Sequence, residues 1–333
     1  MAERQADDTC RAVGDDVACV DGSRTPQRLG VSLIWIGIDM DRKRNREHDY
    51  IRPMHSDIRS QLARADGTVT DCLGRNHMSI SEGLLEKEDL RSRLFGETWR
   101  TLIPEVFRDV PAYYDKGNAV ASLGSCSRWS AKFATAIGQH LPPGANVLDV
   151  CSGTHDIPLR LLANDPTLEI HAVDGSPHMT AEGQRRARER NLVIHARVCD
   201  AHALPFSDNS FDAVTLQFAS RHLEIIRAFK EIYRVLKPGG IFCHNDMLRP
   251  ASRVVELPYL AYLRFSVWFT AKLFGSSAES IKCVGYFANA IRHFYTPREL
   301  AELLEGVGFA GIESRSVLTG IMSYHISHKP MAA

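Results

Sequence analysis

At 333 residues, with 44% hydrophobic and 24% charged side chains, the chain is long enough to bury one large core and still carry an appended segment. Forty basic residues balance forty acidic ones, so no net field draws it to nucleic acid or to an anionic surface, and nucleic acid is excluded as an expected partner. Eight scattered cysteines without a CxxC pair, no opening charged-then-apolar leader and no apolar run of the ~18 residues that a membrane span needs suggest a soluble chain in a reducing, cytoplasmic compartment.

Residues 1–95 are rich in Arg, Asp, Gly and Ser and contain one short apolar run, Val31–Ile38, with no partner pattern. They read as an N-terminal extension of little stable fold, with Met54 and Met78 as alternative starts and an upstream-translated leader as one explanation. From Met78 the pattern turns helical, and residues 96–333 are expected to form the folded domain.

From Gly144 short β-rich runs alternate with helical ones, the signature of stacked βαβ units in a doubly wound, mostly parallel sheet. Strands are predicted at Asn146–Cys151, Glu169–Asp174, Leu192–Cys199, Phe211–Phe218 and Gly240–Met247. Helices are predicted at Ile157–Ala163, Met179–Arg190 and Leu223–Leu236, the last stopped by Lys237-Pro238-Gly239-Gly240. The runs Gly311–Leu318 and Ile321–His328 suit a closing antiparallel hairpin, which completes seven strands. Between the fifth strand and that hairpin, Pro250–Phe294 has the spacing of amphipathic helices, suited to a packing face, a lid over an apolar pocket or a membrane-surface contact.

Ligands of such sheets bind at the carboxyl ends of the strands. Asp149, Ser152, Gly153, Thr154 and His155 occupy the first such turn, which lacks the GxGxxG pattern of nicotinamide enzymes. Asp174 and Gly175 end the second strand, where a carboxylate can hold ribose hydroxyls, and Asp200 with Ala201 ends the third, beside the site of a base. Three such turns in serial order point to a nucleoside cofactor.

The segments VLDVCSGT (147–154), AVDGSPHM (172–179), CDAHALPFSDNSFDAVT (199–215) and RVLKPGG (234–240) occur widely among class I S-adenosylmethionine (SAM) methyltransferases. VFRDVPAYYDKGNAVASLGSCSRW (106–129), FASRHL (218–223), GYFANAIRHF (285–294) and VLTGIMSYHISHK (317–329) resemble more narrowly the ubiquinone/menaquinone C-methyltransferase (UbiE-like) family. The resemblance implies a SAM-dependent, Rossmann-like enzyme of quinone biosynthesis or secondary metabolism that acts on a small hydrophobic quinol, phenol or polyketide-like acceptor. It implies Asp149, Ser152, Gly153, Thr154, His155, Asp174, Gly175, Asp200, Ala201, Gln217 and Tyr114 around the cofactor, and Arg221, His222, Tyr114 and Asp246 at the chemistry. It leaves peripheral contact with the inner membrane and a homodimer open as associations.

An arginine beside a phenol is intelligible on its own, since methylation of a ring carbon needs phenolate character that a fixed cation stabilises. His155 stands where the family has glycine and His222 where it has asparagine, so His155 is expected to crowd or contact the methionine part of the cofactor. Topology would gather His155, His202, His222 and His244 near one crevice, where separate hydrogen-bonded histidines are favoured over a metal site. Two rivals are a UbiE-like fold that uses SAM or a metal for non-methyl, rhodoquinone-type chemistry, and a non-catalytic ligand-binding homologue.

Overall fold

The computed structural model describes residues 79–331; Val31–Ile38, Met54 and Met78 lie outside the described residues. Among the described residues the order is α1 (Glu82–Asp109), α2 (Tyr114–Ala121), α3 (Ser125–Gly138), β1 (Asn146–Val150), α4 (Asp156–Asn164), β2 (Glu169–Asp174), α5 (Pro177–Glu189), β3 (His195–Val198) and β4 (Phe211–Gln217). There follow α6 (Ile225–Val235), β5 (Leu236–Met247), α7 (Arg253–Leu273), α8 (Ala278–Arg292), α9 (Pro297–Val307), β6 (Ala310–Val317) and β7 (Met322–His328).

The strands form one seven-stranded sheet in the order β3-β2-β1-β4-β5-β7-β6. β1 to β5 run parallel, while β7 is antiparallel to both β5 and β6, so the expected doubly wound sheet with a closing hairpin is what folds. Val147 and Ala213 pack in one core with Phe133, Ile157 and Leu161, while Leu148, Val214 and Phe242 pack in another with Phe229, Ile232 and Leu303. Strand periodicity sends alternate residues to opposite faces, which is why neighbours in sequence serve different cores. α6 shows the matching helical stripe, burying Ile225, Ala228, Phe229, Ile232 and Val235.

Two boundaries differ from expectation. α1 begins at Glu82, well before residue 96, and buries Leu84, Glu88, Arg91 and Phe95. The Lys237-Pro238-Gly239-Gly240 stretch ends α6 but belongs to β5, whose start at Leu236 pairs with Phe211 across a register shift. Gly240 is required there, because a Cβ would sit 2.8 Å from the Lys237 carbonyl oxygen and 3.0 Å from that of Asp212. α7 and α8 fall inside the region expected as a lid and pack on each other, with α1 on α8 and α2 on α7. None of the described helices is long and apolar enough to cross a membrane.

His155 adopts a left-handed backbone, φ 61° and ψ 34°, just before α4, and its fully buried ring turns toward α5. A Cβ on Gly183 would lie 2.5 Å from the imidazole Cγ and Cδ2, so the α5 glycine supplies the space for the histidine. Gly183→Ala therefore overpacks this contact at a cost of ~1–3 kcal/mol. His155→Gly in the same chain recovers most of it, since glycine also relieves the left-handed strain. Thermal unfolding of the two single variants and the double variant checks this, and additive losses would contradict it.

Candidate active site

The strand order reverses between β1 and β4, and the crevice at their carboxyl ends is where such sheets bind ligands. Cys151 at φ 54° and Gly153 at φ 53° bend the chain after β1 into a tight loop. The Ser152 N–H donates to the Val173 carbonyl at 2.9 Å, which fastens that loop to β2. The Asp174 carboxylate accepts the N–H of Gly153 at 2.8 Å and of Ser176 at 2.7 Å. Burial raises the Asp174 pKa from its ordinary value, against the pull of those two hydrogen bonds.

A small cavity of about 60 Å³ lies here, lined by Asp149, Ser152, Gly153, Thr154, Gln217 and Tyr114. These are six of the expected cofactor residues. Asp174, Gly175, Asp200 and Ala201 sit at the ends of β2 and β3 but do not line it. Asp200 is held below the usual carboxylate range despite partial desolvation, by the backbone N–H and ring of His202, whose Nδ1 lies 2.6 Å away. His155, expected against the cofactor, is corrected: its Nδ1 lies 2.9 Å from Ser152 Oγ, its ring packs on Gly183, and it leaves the cavity clear. Burial lowers its pKa to about 4, so the ring is neutral.

α2 closes over this crevice. Asp115 accepts the Thr154 hydroxyl at 3.2 Å and pairs with Arg186 of α5 at 2.5 Å, while Arg186 also donates to the Thr154 carbonyl at 2.9 Å. Tyr114 and Asn118, on the same helix, line both the small cavity and a second one of about 450 Å³.

The large cavity is walled mainly by apolar and aromatic side chains, among them Phe107, Trp129, Met247, Tyr259, Leu263 and Phe287. Arg221 is the one charged residue among the described residues that line it. Its Nη1 donates to Asp246 at 2.5 Å, and Asp246, fully buried, also accepts the N–H groups of Ser220 at 2.9 Å and Met247 at 2.7 Å. Burial raises the Tyr114 pKa to about 12, so its hydroxyl keeps its proton and can donate. The Cys126 thiol, which also lines both cavities, is likewise pushed up to about 12 by burial, which leaves it without nucleophilic character.

Two of the four residues expected at the chemistry do not line the cavity. His222 turns into an aromatic cluster with Phe107, Tyr286 and Phe287, its Nδ1 2.6 Å from the Tyr286 hydroxyl, and desolvation holds it neutral. Asp246 acts behind Arg221 rather than facing the cavity. The four histidines expected near one crevice separate: His155 packs on α5, His202 pairs with Asp200, His222 joins Tyr286, and His244 contacts Ser220 and Phe229. No group of three or more His, Cys, Asp or Glu side chains positioned to hold a metal occurs among the described residues.

Whether SAM fits rests on the small cavity's wall. Gln217 keeps its Nε2 buried without a partner, although its Oε1 accepts the Ser130 hydroxyl at 3.3 Å. Asp149, buried beside it, has its carboxyl pushed up by desolvation to about 7, with hydrogen bonds from Ser152 and Thr215 working the other way. An unpaired amide donor and a carboxylate in one crevice complement the carboxylate and ammonium of an amino-acid tail, so the residues fit the group.

The profile of the ubiE/COQ5 methyltransferase family matches residues 96–329. The chain is similar to the demethylmenaquinone methyltransferase of Anoxybacillus flavithermus (strain DSM 21510 / WK1), 30% identical over 234 residues that cover 68% of this chain and 95% of that protein. It is 32% identical to that of Geobacillus sp. (strain WCH70), over 68% of this chain and 96% of that protein. Among solved structures, phosphoethanolamine N-methyltransferase 2 of Haemonchus contortus in complex with S-adenosyl-L-methionine is similar at a TM-score of 0.47 and 16% identity, over 66% of this chain and 60% of that chain. The chain belongs to the ubiE/COQ5 methyltransferase family, and its cofactor is SAM.

Asp149 gives this site a pH signature. Its folded pKa near 7 lies above the ordinary carboxyl value, so its contribution to stability is greatest when protonated and falls as pH rises through 7. A bound ammonium group reverses that preference. S-Adenosylhomocysteine should therefore bind roughly tenfold more weakly at pH 6 than at pH 8 and release a proton on binding near pH 6.5. Calorimetric titration in two buffers checks both, and Asp149→Asn should abolish the proton release; release that persists in the variant would contradict the assignment.

Proposed function

We propose that this member of the ubiE/COQ5 methyltransferase family methylates a ring carbon of a hydrophobic quinol or phenol, with demethylmenaquinol as the representative acceptor. The observation that carries the reading is the apolar cavity of about 450 Å³, which shares Tyr114, Asn118, Cys126 and Phe218 with the cofactor crevice and has Arg221 in its wall. A cavity of that size and lining suits a flat aromatic acceptor with a hydrocarbon tail.

SAM supplies an electrophilic methyl group on a sulfonium. The guanidinium of Arg221 favours the deprotonated oxygen of the acceptor, which raises electron density on the ortho carbon. With SAM bound, methylation at that carbon would break the methyl–sulfur bond and leave S-adenosylhomocysteine, and the displaced ring proton would pass to the acceptor oxygen beside Arg221, which restores the aromatic quinol. Asp246 keeps the guanidinium in place from behind, and Tyr114, protonated, can donate to the acceptor or the cofactor's tail. Side chains of α2, α7 and α8 wall the cavity beside the crevice and would hold the two reactants together.

Delivery of a prenylated acceptor is supported by the outer surface. Val254, Leu257, Phe265, Trp268, Phe269 and Leu273 of α7 are exposed, and so are Leu123 and Leu318, which also line the large cavity. A peripheral contact of this face with a lipid surface would bring the cavity's apolar wall next to the acyl region. The protein should sediment with phosphatidylglycerol–phosphatidylcholine vesicles, and Phe265→Asp with Trp268→Asp should abolish this; a wild-type protein that stays in the supernatant would contradict it.

The chemistry is tested with demethylmenaquinol and radiolabelled SAM. Arg221→Met should lower kcat by ~10²–10³-fold, the loss seen when one fixed donor to a developing oxyanion is removed. Binding of S-adenosylhomocysteine should stay within a few-fold of wild type. Undiminished turnover in Arg221→Met, or methylation of heteroatoms only, would overturn the reading.

A further inference from the structure

Arg91 is 1% exposed, among the largest fully buried side chains of the described residues, and lies on the part of α1 that precedes the family's matched stretch at residue 96. Burying a guanidinium is costly unless its donors are engaged, and here both terminal nitrogens are, while the buried Nε has no partner among the described residues. Its Nη1 meets Glu88 at 2.5 Å, and its Nη2 donates to the carbonyl oxygens of Arg221 at 3.2 Å and Leu223 at 3.4 Å. The guanidinium carbon lies 4.7 Å from the centre of the Phe294 ring and 5.3 Å from that of Trp99. Glu88 in turn accepts the N–H of Ile225, the first residue of α6, at 2.7 Å and the Tyr295 hydroxyl at 2.9 Å.

Three backbone groups between residues 221 and 225 therefore hang from two side chains of α1. The segment needs them, because it is one short 3₁₀ turn, Ser220–His222, between β4 and α6. Its own hydrogen bonds are His222 N–H to the Ala219 carbonyl at 2.9 Å and Leu223 N–H to that of Ser220 at 3.2 Å. Asp246 fixes the start of the segment through Ser220 and the tip of the Arg221 side chain. Glu88 and Arg91 hold its backbone, together with His202, whose Nε2 accepts the Glu224 N–H at 3.1 Å.

We propose that Glu88 and Arg91 are positioning residues that set where Arg221 reaches into the acceptor cavity, so that the helix upstream of the family's matched stretch is part of this chain's catalytic apparatus. The inference rests on the reading of Arg221 given above. A displacement of ~1 Å at a reacting group can cost on the order of 10²-fold in rate. Glu88 and Arg91 act on rate through that displacement, and not through contact with substrate.

The test is a double-variant cycle on the full chain, with demethylmenaquinol and SAM as substrates and S-adenosylhomocysteine as binding probe. Arg91→Met should lower kcat by ~10–100-fold, with KM and the probe's Kd shifted less than about threefold. In an Arg221→Met background the same substitution should change kcat by less than about threefold, because its route to the chemistry is gone. Hydrogen exchange of the backbone amides over residues 220–225 should quicken in Arg91→Met. Glu88→Gln, which keeps an acceptor for Ile225, and Arg91→Lys, which keeps the charge but not the fork, are expected to show the same pattern more weakly if Arg91→Met fails to fold.

Equal losses in the two backgrounds, or unchanged exchange over 220–225, would overturn the proposal. Should Arg221→Met itself turn over normally, the role of Arg221 fails and the positioning role falls with it. The exchange data then still report whether α1 holds the turn.

Discussion

The site depends on one buried ion pair, Arg221 with Asp246. Asp246 is wholly removed from solvent and Arg221 nearly so, a placement that costs several kcal/mol per ion unless every lone pair and proton finds a partner. Asp246 meets that condition with the guanidinium, the Met247 N–H, and both the N–H and the hydroxyl of Ser220, whereas the buried Nε of Arg221 has no partner among the described residues. The segment after β4 is thereby drawn against the end of β5, with Phe218 at φ 58° making the bend. The Arg221 cation is left at the wall of a mainly apolar cavity, where a developing phenolate would be the natural counter-charge.

The same economy of elements couples the two cavities. α2 contributes Tyr114 and Asn118 to both cavities and is tied down by Asp115 to Thr154 and Arg186, on the far side of the cofactor crevice. Any movement of that helix changes both sites at once. Closure around one reactant shapes the space for the other, an arrangement suited to a transfer in which positioning and water exclusion supply much of the acceleration.

Much of this was legible in the sequence because it rests on periodicity and turn chemistry. The strands alternate or run apolar as parallel strands should, and the turn at Ser152–Thr154 and the carboxylates Asp149 and Asp174 mark the crevice. What escaped was long-range. The first half of α1 buries Glu88 and Arg91, so its stripe reads as polar surface until the partners at Ile225 and Tyr295 are known. His155 has the right place in the chain to touch a cofactor, but its left-handed backbone and the gap at Gly183 direct the ring the other way. His222 follows Arg221 directly, yet its ring joins Tyr286 while Arg221 lines the cavity, a division set by packing of α8 and invisible to spacing alone. The stop at Lys237-Pro238-Gly239-Gly240 was real for α6, but the glycines also admit a strand at close backbone approach.

The role of the Asp246 charge is to keep Arg221 poised at the cavity. It is tested most directly by steady-state methylation of demethylmenaquinol with Asp246→Asn, which keeps the side chain's shape and removes its charge. The variant's kcat should fall by roughly 10²-fold while S-adenosylhomocysteine binds as in wild type. A variant that turns over at the wild-type rate would contradict it, since Arg221 would then need no buried counter-charge to do its work.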